Sequence, residues 1–158
     1  MTDPLRAEQL DIPALYGSPS RLLVWDSVRS RLEQAHHYWL ATVRTDGRPH
    51  TVPHDGLWLD DGWYFGGSPE TVKHRNLLAN PNVSLHLEDA AAAVIVEGVC
   101  ELTRPDVPKA ENLAKSSKDK YGYGPPASTY LAGVWCLRPV RVLAWTDITS
   151  DATRFVFP

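Results

Sequence analysis

The stretch YWLATVRTDGRPHTVPHDGLWLDDGWYFGG, residues 38–67, limits the fold more than any other part of the chain. Its aromatic and β-branched runs are cut by Asp-Gly pairs at Asp46-Gly47 and Asp61-Gly62. Such a pair tolerates the positive φ angles of a tight turn, so the runs on either side fold back as antiparallel neighbours. The spacing predicts three strands, over about residues 38–45, 48–59 and 62–67. A parallel sheet would need a crossover of a dozen or more residues between strands, and there is no room for one here. Pro53 interrupts the second run. A residue without an N–H cannot donate to a ladder, so Pro53 implies an edge, a bulge or a ligand-facing break.

The rest of the chain extends this pattern. Residues 1–17 read as a loose arm. A helix follows, with Ser18 or Ser20 as cap, Pro19 near its start, and Leu22, Trp25, Val28 and Leu32 at helical spacing. His36-His37 would close its C-terminus. After the hairpins, Ser68 can cap a helix with Pro69 at its first position, ending at Asn80-Pro81. NVSLHLE alternates as a strand, and AAVIVEGVCELT reads as a longer one with a bulge at Gly98. Asp106 starts another helix, with Lys115, Lys118 and Lys120 late in it. YGYGPPAS reads as a loop. YLAGVWCLRPVRVLAWTD supplies two strands broken near Arg138-Pro139, and TRFVF a short last one. Six or seven strands and about three helices give a mainly β (α+β) antiparallel barrel, in a single domain over residues 1–158.

Several functional classes fall away. A net charge of −3 does not suit a nucleic-acid surface. No apolar run reaches the roughly 20 residues of a membrane helix. Cys100 and Cys136 lie in apolar runs, as buried free thiols of a reduced compartment would, and residues 1–17 show no export signal, so a cytoplasmic location is expected. There is no G-x-S-x-G elbow and no G-x-G-x-x-G after a strand. His50 and His54 share a strand face, but no Asp, Glu or Cys stands at a matching step, so no metal is expected.

GGSPETVKHRNL, residues 66–77, carries the chemistry. Gly66 and Gly67 let the backbone approach a ligand. Ser68 and Thr71 offer hydroxyls, the helix start offers free N–H groups, Lys73 adds a point charge, and Arg75 or Asn76 completes a polar wall. These residues fit a phosphate cradle. They also fit a capped surface helix with solvated cations, and Glu70 would repel a phosphate if it faced inward. Trp39, Trp58, Trp63, Trp135 and Trp145 fall in predicted strands, where indoles fill a core or stack on a planar ring.

The order AT, D-G-x-P, a strand pair, K-x-x-N-L-x-x-N-P and a further strand resembles the split β-barrel flavin-binding family, as do VEG at Val96–Gly98 and LRPVRVLAW at Leu137–Trp145. That family includes pyridoxamine 5′-phosphate oxidase-like proteins and the deazaflavin (coenzyme F-420) oxidoreductases. The resemblance covers about residues 36–146. It implies a six-stranded split barrel with Greek-key character and a homodimer with two cofactor sites at the subunit interface. It implies FMN or coenzyme F-420, with the cofactor phosphate beside the helix start and hydride transfer to or from a small organic substrate. Lys73 and Asn76 match the motif's Lys and Asn, while Ser68 and Thr71 take positions that often contact phosphate. Pro53 and His54 fall on the strand lining the ring, and Phe65, Gly66 and Gly67 run beside the ring and ribityl chain. His54 and Tyr64 are candidate proton donors. The second strand, RPHTVPHDG, lacks the R-x-V-L-L-K of true pyridoxamine phosphate oxidases. A non-catalytic flavin- or haem-storing module on the same barrel is the other reading, with His36, His37 or His86 as haem ligands.

Overall fold

A computed structural model describes residues 5–158. In chain order its elements are β1 (Arg6–Gln9), a 3-10 turn (Ala14–Tyr16), α1 (Trp25–Gln34), β2 (Tyr38–Val43), β3 (Pro49–His54), β4 (Leu57–Leu59), β5 (Gly62–Phe65) and α2 (Val72–Ala79). There follow β6 (Asn82–His86), β7 (Val94–Thr103), α3 (Val107–Tyr121), α4 (Ala127–Ala132), β8 (Val134–Ala144), α5 (Ile148–Asp151) and β9 (Thr153–Val156). All strand pairs are antiparallel, in the order β1-β9-β8-β7-β6-β2-β3, with β5 joining β8 and carrying β4. The sheet curls without closing. This is the α+β split-barrel class the sequence pointed to, with nine strands rather than six among the described residues.

The hairpins form where the Asp-Gly pairs stand. Between β2 and β3, Gly47 adopts φ +84° and Asp46 Oδ1 accepts from Arg48 N at 3.1 Å. Between β4 and β5 the left-handed residues are Asp60 and Asp61, at φ +51° and +52°, and Gly62 enters the strand. Aspartate tolerates this conformation better than most residues with a Cβ. The predicted strand over 48–59 divides into β3 and β4 at Asp55-Gly56. A Cβ on Gly56 would stand 2.3 Å from the indole nitrogen of Trp63, so only glycine lets the chain cross this buried ring.

β8 is the spine. Its first half pairs with β5 and its second with β9, while β7 runs along its full length. The break expected at Arg138-Pro139 is absent. The register shift between Glu97 and Gly98 of β7 lies opposite Pro139 and absorbs it.

The core lies in two parts. Val28 and Leu32 of α1 pack with Tyr38, Leu40, Trp63, Phe65, Leu137 and Phe155 inside the barrel. Leu57, Tyr64, Leu113, Tyr130 and Cys136 form a second cluster under α3 and α4. Both cysteines are free and buried, and burial pushes the Cys100 thiol up to about 12, which keeps it unreactive.

Other expectations are corrected. The arm over 1–17 includes β1, which pairs with β9, while residues 1–4 lie outside the described residues. α1 starts at Trp25 with no side-chain cap, and neither Ser18 nor Ser20 caps it. α2 starts at Val72, capped by Thr71, and Ser68 and Pro69 belong to the preceding turn. His36 and His37 lie past Ala35, where α1 has already ended. Five α-helices replace three among the described residues, because α4 and α5 were unmarked in the sequence. None is long and apolar enough to cross a membrane.

Candidate functional site

β5 delivers Phe65 into the barrel and then releases the chain at Gly66-Gly67, both exposed. Gly67 holds φ +130°, and a Cβ there would stand 2.3 Å from Lys73 Nζ. Nothing lies within 4 Å of the corresponding point on Gly66. The chain then turns: Thr71 N and Thr71 Oγ1 donate to Ser68 O at 3.1 and 2.8 Å, and Glu70 N donates to Ser68 Oγ at 3.2 Å. Thr71 Oγ1 in turn accepts from His74 N at 3.4 Å, which starts α2.

Lys73, one turn into this segment, is 7% exposed. It makes no ion pair or hydrogen bond with any described residue. Burial alone pulls its pKa below the usual lysine value. An ammonium partly withdrawn from water without a counter-charge is favoured by an anionic partner. The ammonium leans on Gly67, and Gly66 leaves open space beside it. These residues therefore fit a bound phosphate.

His54 borders the same place. Its Nδ1–H donates to Asp55 O at 2.5 Å, and Nε2 lies on the side of Gly66 and Gly67. Burial, with help from the Lys73 charge, lowers its pKa, so the ring is neutral at pH 7. Its ring meets Trp63 and Phe65 edge-on, at 5.7 and 5.3 Å. Trp63 and Phe65 stack at 4.4 Å, and Trp135 continues the row, its indole N–H donating to His74 Nδ1 at 3.2 Å.

His54, Phe65, Gly66, Gly67 and Lys73 thus come together. Pro53 lies on the exposed side of β3, an edge strand, beside an open recess of about 420 Å³ shared with His37, His54 and Asp55. Ser68 and Thr71 stand in the turn with their hydroxyls engaged within it. Asn76 is buried and ties α2 to β2 by donating to Thr42 Oγ1 at 2.9 Å. Its other neighbours form a cleft of about 310 Å³ with Arg44, Arg48 and Arg75. Arg44 and Arg48 escaped the sequence reading, and their signal was the arginine flanking each side of the Asp46-Gly47 turn. Tyr64 faces the other cluster with Lys109 Nζ 4.7 Å over its ring, and burial raises its pKa.

On the far side of Gly56, α3 closes over the β3–β4 turn. Lys120 Nζ donates to Tyr38 Oη at 2.9 Å and to Gly56 O at 3.2 Å, and Tyr121 Oη donates to Gly56 O at 2.9 Å. Burial pulls the Lys120 pKa down to about 8. Between about pH 8 and the ordinary lysine value near 10.5, the unfolded chain binds the proton that the folded chain has released. Stability therefore rises with pH across this window, and Lys73 acts with the same sign. Above about pH 10 the buried tyrosines oppose the rise, because burial pushes Tyr121 up to about 12 and Tyr38 higher still. Lys120→Met is expected to flatten the rise between pH 8 and 10, read as urea midpoints at constant ionic strength. An unchanged slope would mean Lys120 keeps an ordinary pKa.

Comparison with known proteins adds the family. Residues 24–146, well over half the chain, match the pyridoxamine 5′-phosphate oxidase family model. Among solved structures, an F-420 reductase is 26% identical, with a TM-score of 0.57 over 72% of this chain and 94% of its own. A haem-binding protein from Mycobacterium smegmatis is 21% identical, with a TM-score of 0.66 over 87% of this chain and 59% of its own. The haem-storage protein HutZ from Vibrio cholerae is 20% identical, with a TM-score of 0.57 over 76% and 91%. At these last two identities the likeness shows the fold alone. No match was found among curated proteins. The barrel, the Gly66–Lys73 turn and the family match agree, and the chain belongs to the pyridoxamine 5′-phosphate oxidase family.

Proposed function

We propose that this chain is an oxidoreductase that holds FMN or coenzyme F-420 by its phosphate at the Gly66–Lys73 turn, in a homodimer, and acts on a small organic substrate. The observation that carries this reading is the mostly buried Lys73 side chain, whose unpaired ammonium stands against Gly67. The cofactor supplies the hydride chemistry when bound, and the protein supplies position and a dry wall. Lys73 would hold the phosphate, with free backbone N–H groups of the turn beside it. Phe65 and the His54 edge would line the ring. The missing basic strand argues against pyridoxamine phosphate itself as substrate.

The homodimer is supported by an open recess of about 590 Å³ on the outer sheet face, where Ala41, Val43, Val99 and Val140 present apolar side chains. A second copy would cover this face.

Reduced cofactor mixed with protein should pass its hydride to an organic acceptor faster than free cofactor does, in a single-turnover stopped-flow experiment. Equal rates would favour a storage module instead. The haem version of that module rests on His86, whose Nδ1–H donates to Leu87 O at 2.8 Å and whose ring stacks on Trp39, leaving Nε2 for iron. His36 and His37 are exposed. A Soret band on haem titration, abolished by His86→Ala, is what that version requires.

A further inference from the structure

We propose that the cavity between β5 and the α3–α4 segment is a second small-molecule site, taking an uncharged, flat organic molecule with an oxygen acceptor, to which Tyr130 donates. As the substrate compartment of the proposed redox centre it rests on that reading. As a binding site it stands by itself.

The cavity measures about 410 Å³, within the range of roughly 300–1,000 Å³ typical of small-molecule sites. Its rim includes His54, Phe65, Gly66 and Gly67, so it adjoins the cradle directly. Its walls are mostly aromatic or apolar, with Leu57, Tyr64 and Val134 on one side and Tyr121, Tyr123 and Tyr130 on the other. No lysine or arginine lines it, and Lys73 reaches only the rim at Gly67. The one charged lining residue is Asp55, whose Oδ2 already accepts from Tyr123 Oη at 2.8 Å. A carboxylate or phosphate in this cavity would meet that negative charge with no cation among the lining residues.

The polar groups set the second requirement. Tyr121 Oη is committed to Gly56 and His36 carbonyls, and Tyr123 Oη to Asp55. Tyr130 is 8% exposed and its hydroxyl bonds to no described residue. That hydroxyl is not sealed in, since the fully enclosed, unpartnered side-chain atoms among the described residues are the indole nitrogens of Trp58 and Trp63. Tyr130 lines the cavity, where this free hydroxyl would meet a ligand. With no partner among the described residues, it is free to donate to an acceptor on a ligand. α4 holds it in place: the helix ends at Gly133, at φ +149°, and packs against α3. The two compartments make opposite demands, an anion at Lys73 and a neutral acceptor at Tyr130.

The test uses three molecules of similar shape, titrated into cofactor-free protein and followed by amide NMR shifts: acetophenone, benzoate and isopropylbenzene. Acetophenone should bind at least tenfold more tightly than benzoate and shift residues around Tyr130. Tyr130→Phe, which removes a single oxygen, should weaken acetophenone by roughly three- to tenfold, the worth of one neutral hydrogen bond, and leave isopropylbenzene within twofold. Benzoate binding as tightly as acetophenone, shifts confined to other surfaces, or an unchanged acetophenone affinity in Tyr130→Phe would each overturn the inference. Because no cofactor is present, such a failure leaves the cofactor reading intact, and failure of the cofactor to bind leaves this site intact.

Discussion

Replacing Lys73 by methionine is expected to raise the dissociation constant for FMN or F-420 by about 10–100-fold, while leaving the cofactor-free protein as stable as before or more so. The first effect is the loss of a charge-assisted hydrogen bond to phosphate, worth roughly 1.5–3 kcal/mol. The second follows from where the ammonium stands. The side chain is mostly buried, its ammonium stands against exposed Gly67 with no counter-charge among the described residues, and methionine there is expected to cost the empty protein nothing. The two measurements are a fluorescence titration and a urea denaturation curve. A purely structural lysine would give the reverse pattern, lower stability with unchanged affinity. Binding through Lys73 should also weaken as pH rises through its depressed pKa, since only the protonated amine pairs with phosphate.

Gly98→Ala is expected to destabilise the fold by about 3 kcal/mol, at the upper end of what overpacking does. A Cβ at this position would stand 2.2 Å from the carbonyl oxygen of Arg138 and 3.0 Å from Pro139 Cα, and backbone cannot rotate away as a side chain can. The clash falls where the β7 register shifts opposite Pro139, so relieving it would unpair the spine strand β8. For a domain of this size the thermal midpoint should fall by roughly 6–12 °C. A loss below about 1 kcal/mol would show that the bulge can relax without cost.

The sequence showed best what is local. Asp46-Gly47 marked one hairpin, Gly98 marked the bulge, and Asp106 capped α3, whose other end stops at Gly122 in the left-handed conformation. It showed poorly what depends on distant partners. β1 looked like an arm because its ladder is made with β9 at the other end of the chain. Pro139 looked like a strand break because the register shift that carries β8 past it, leaving Val140 unpaired in that ladder, is set by pairing with β7. α4 and α5 are too short to show a helical period. The cradle was legible as residue types at 66–77, but that Lys73 would be buried and unpaired was not. Tyr130 carried no signal at all, since nothing local marks a hydroxyl left without a partner.

The most direct test of the account is a side-by-side titration of the purified protein with FMN, F-420 and riboflavin, which shares the FMN ring but lacks the phosphate. Micromolar binding of at least one phosphorylated cofactor is expected, with riboflavin at least tenfold weaker than FMN if FMN is the one bound. Binding of neither phosphorylated cofactor, or riboflavin matching FMN, would contradict it.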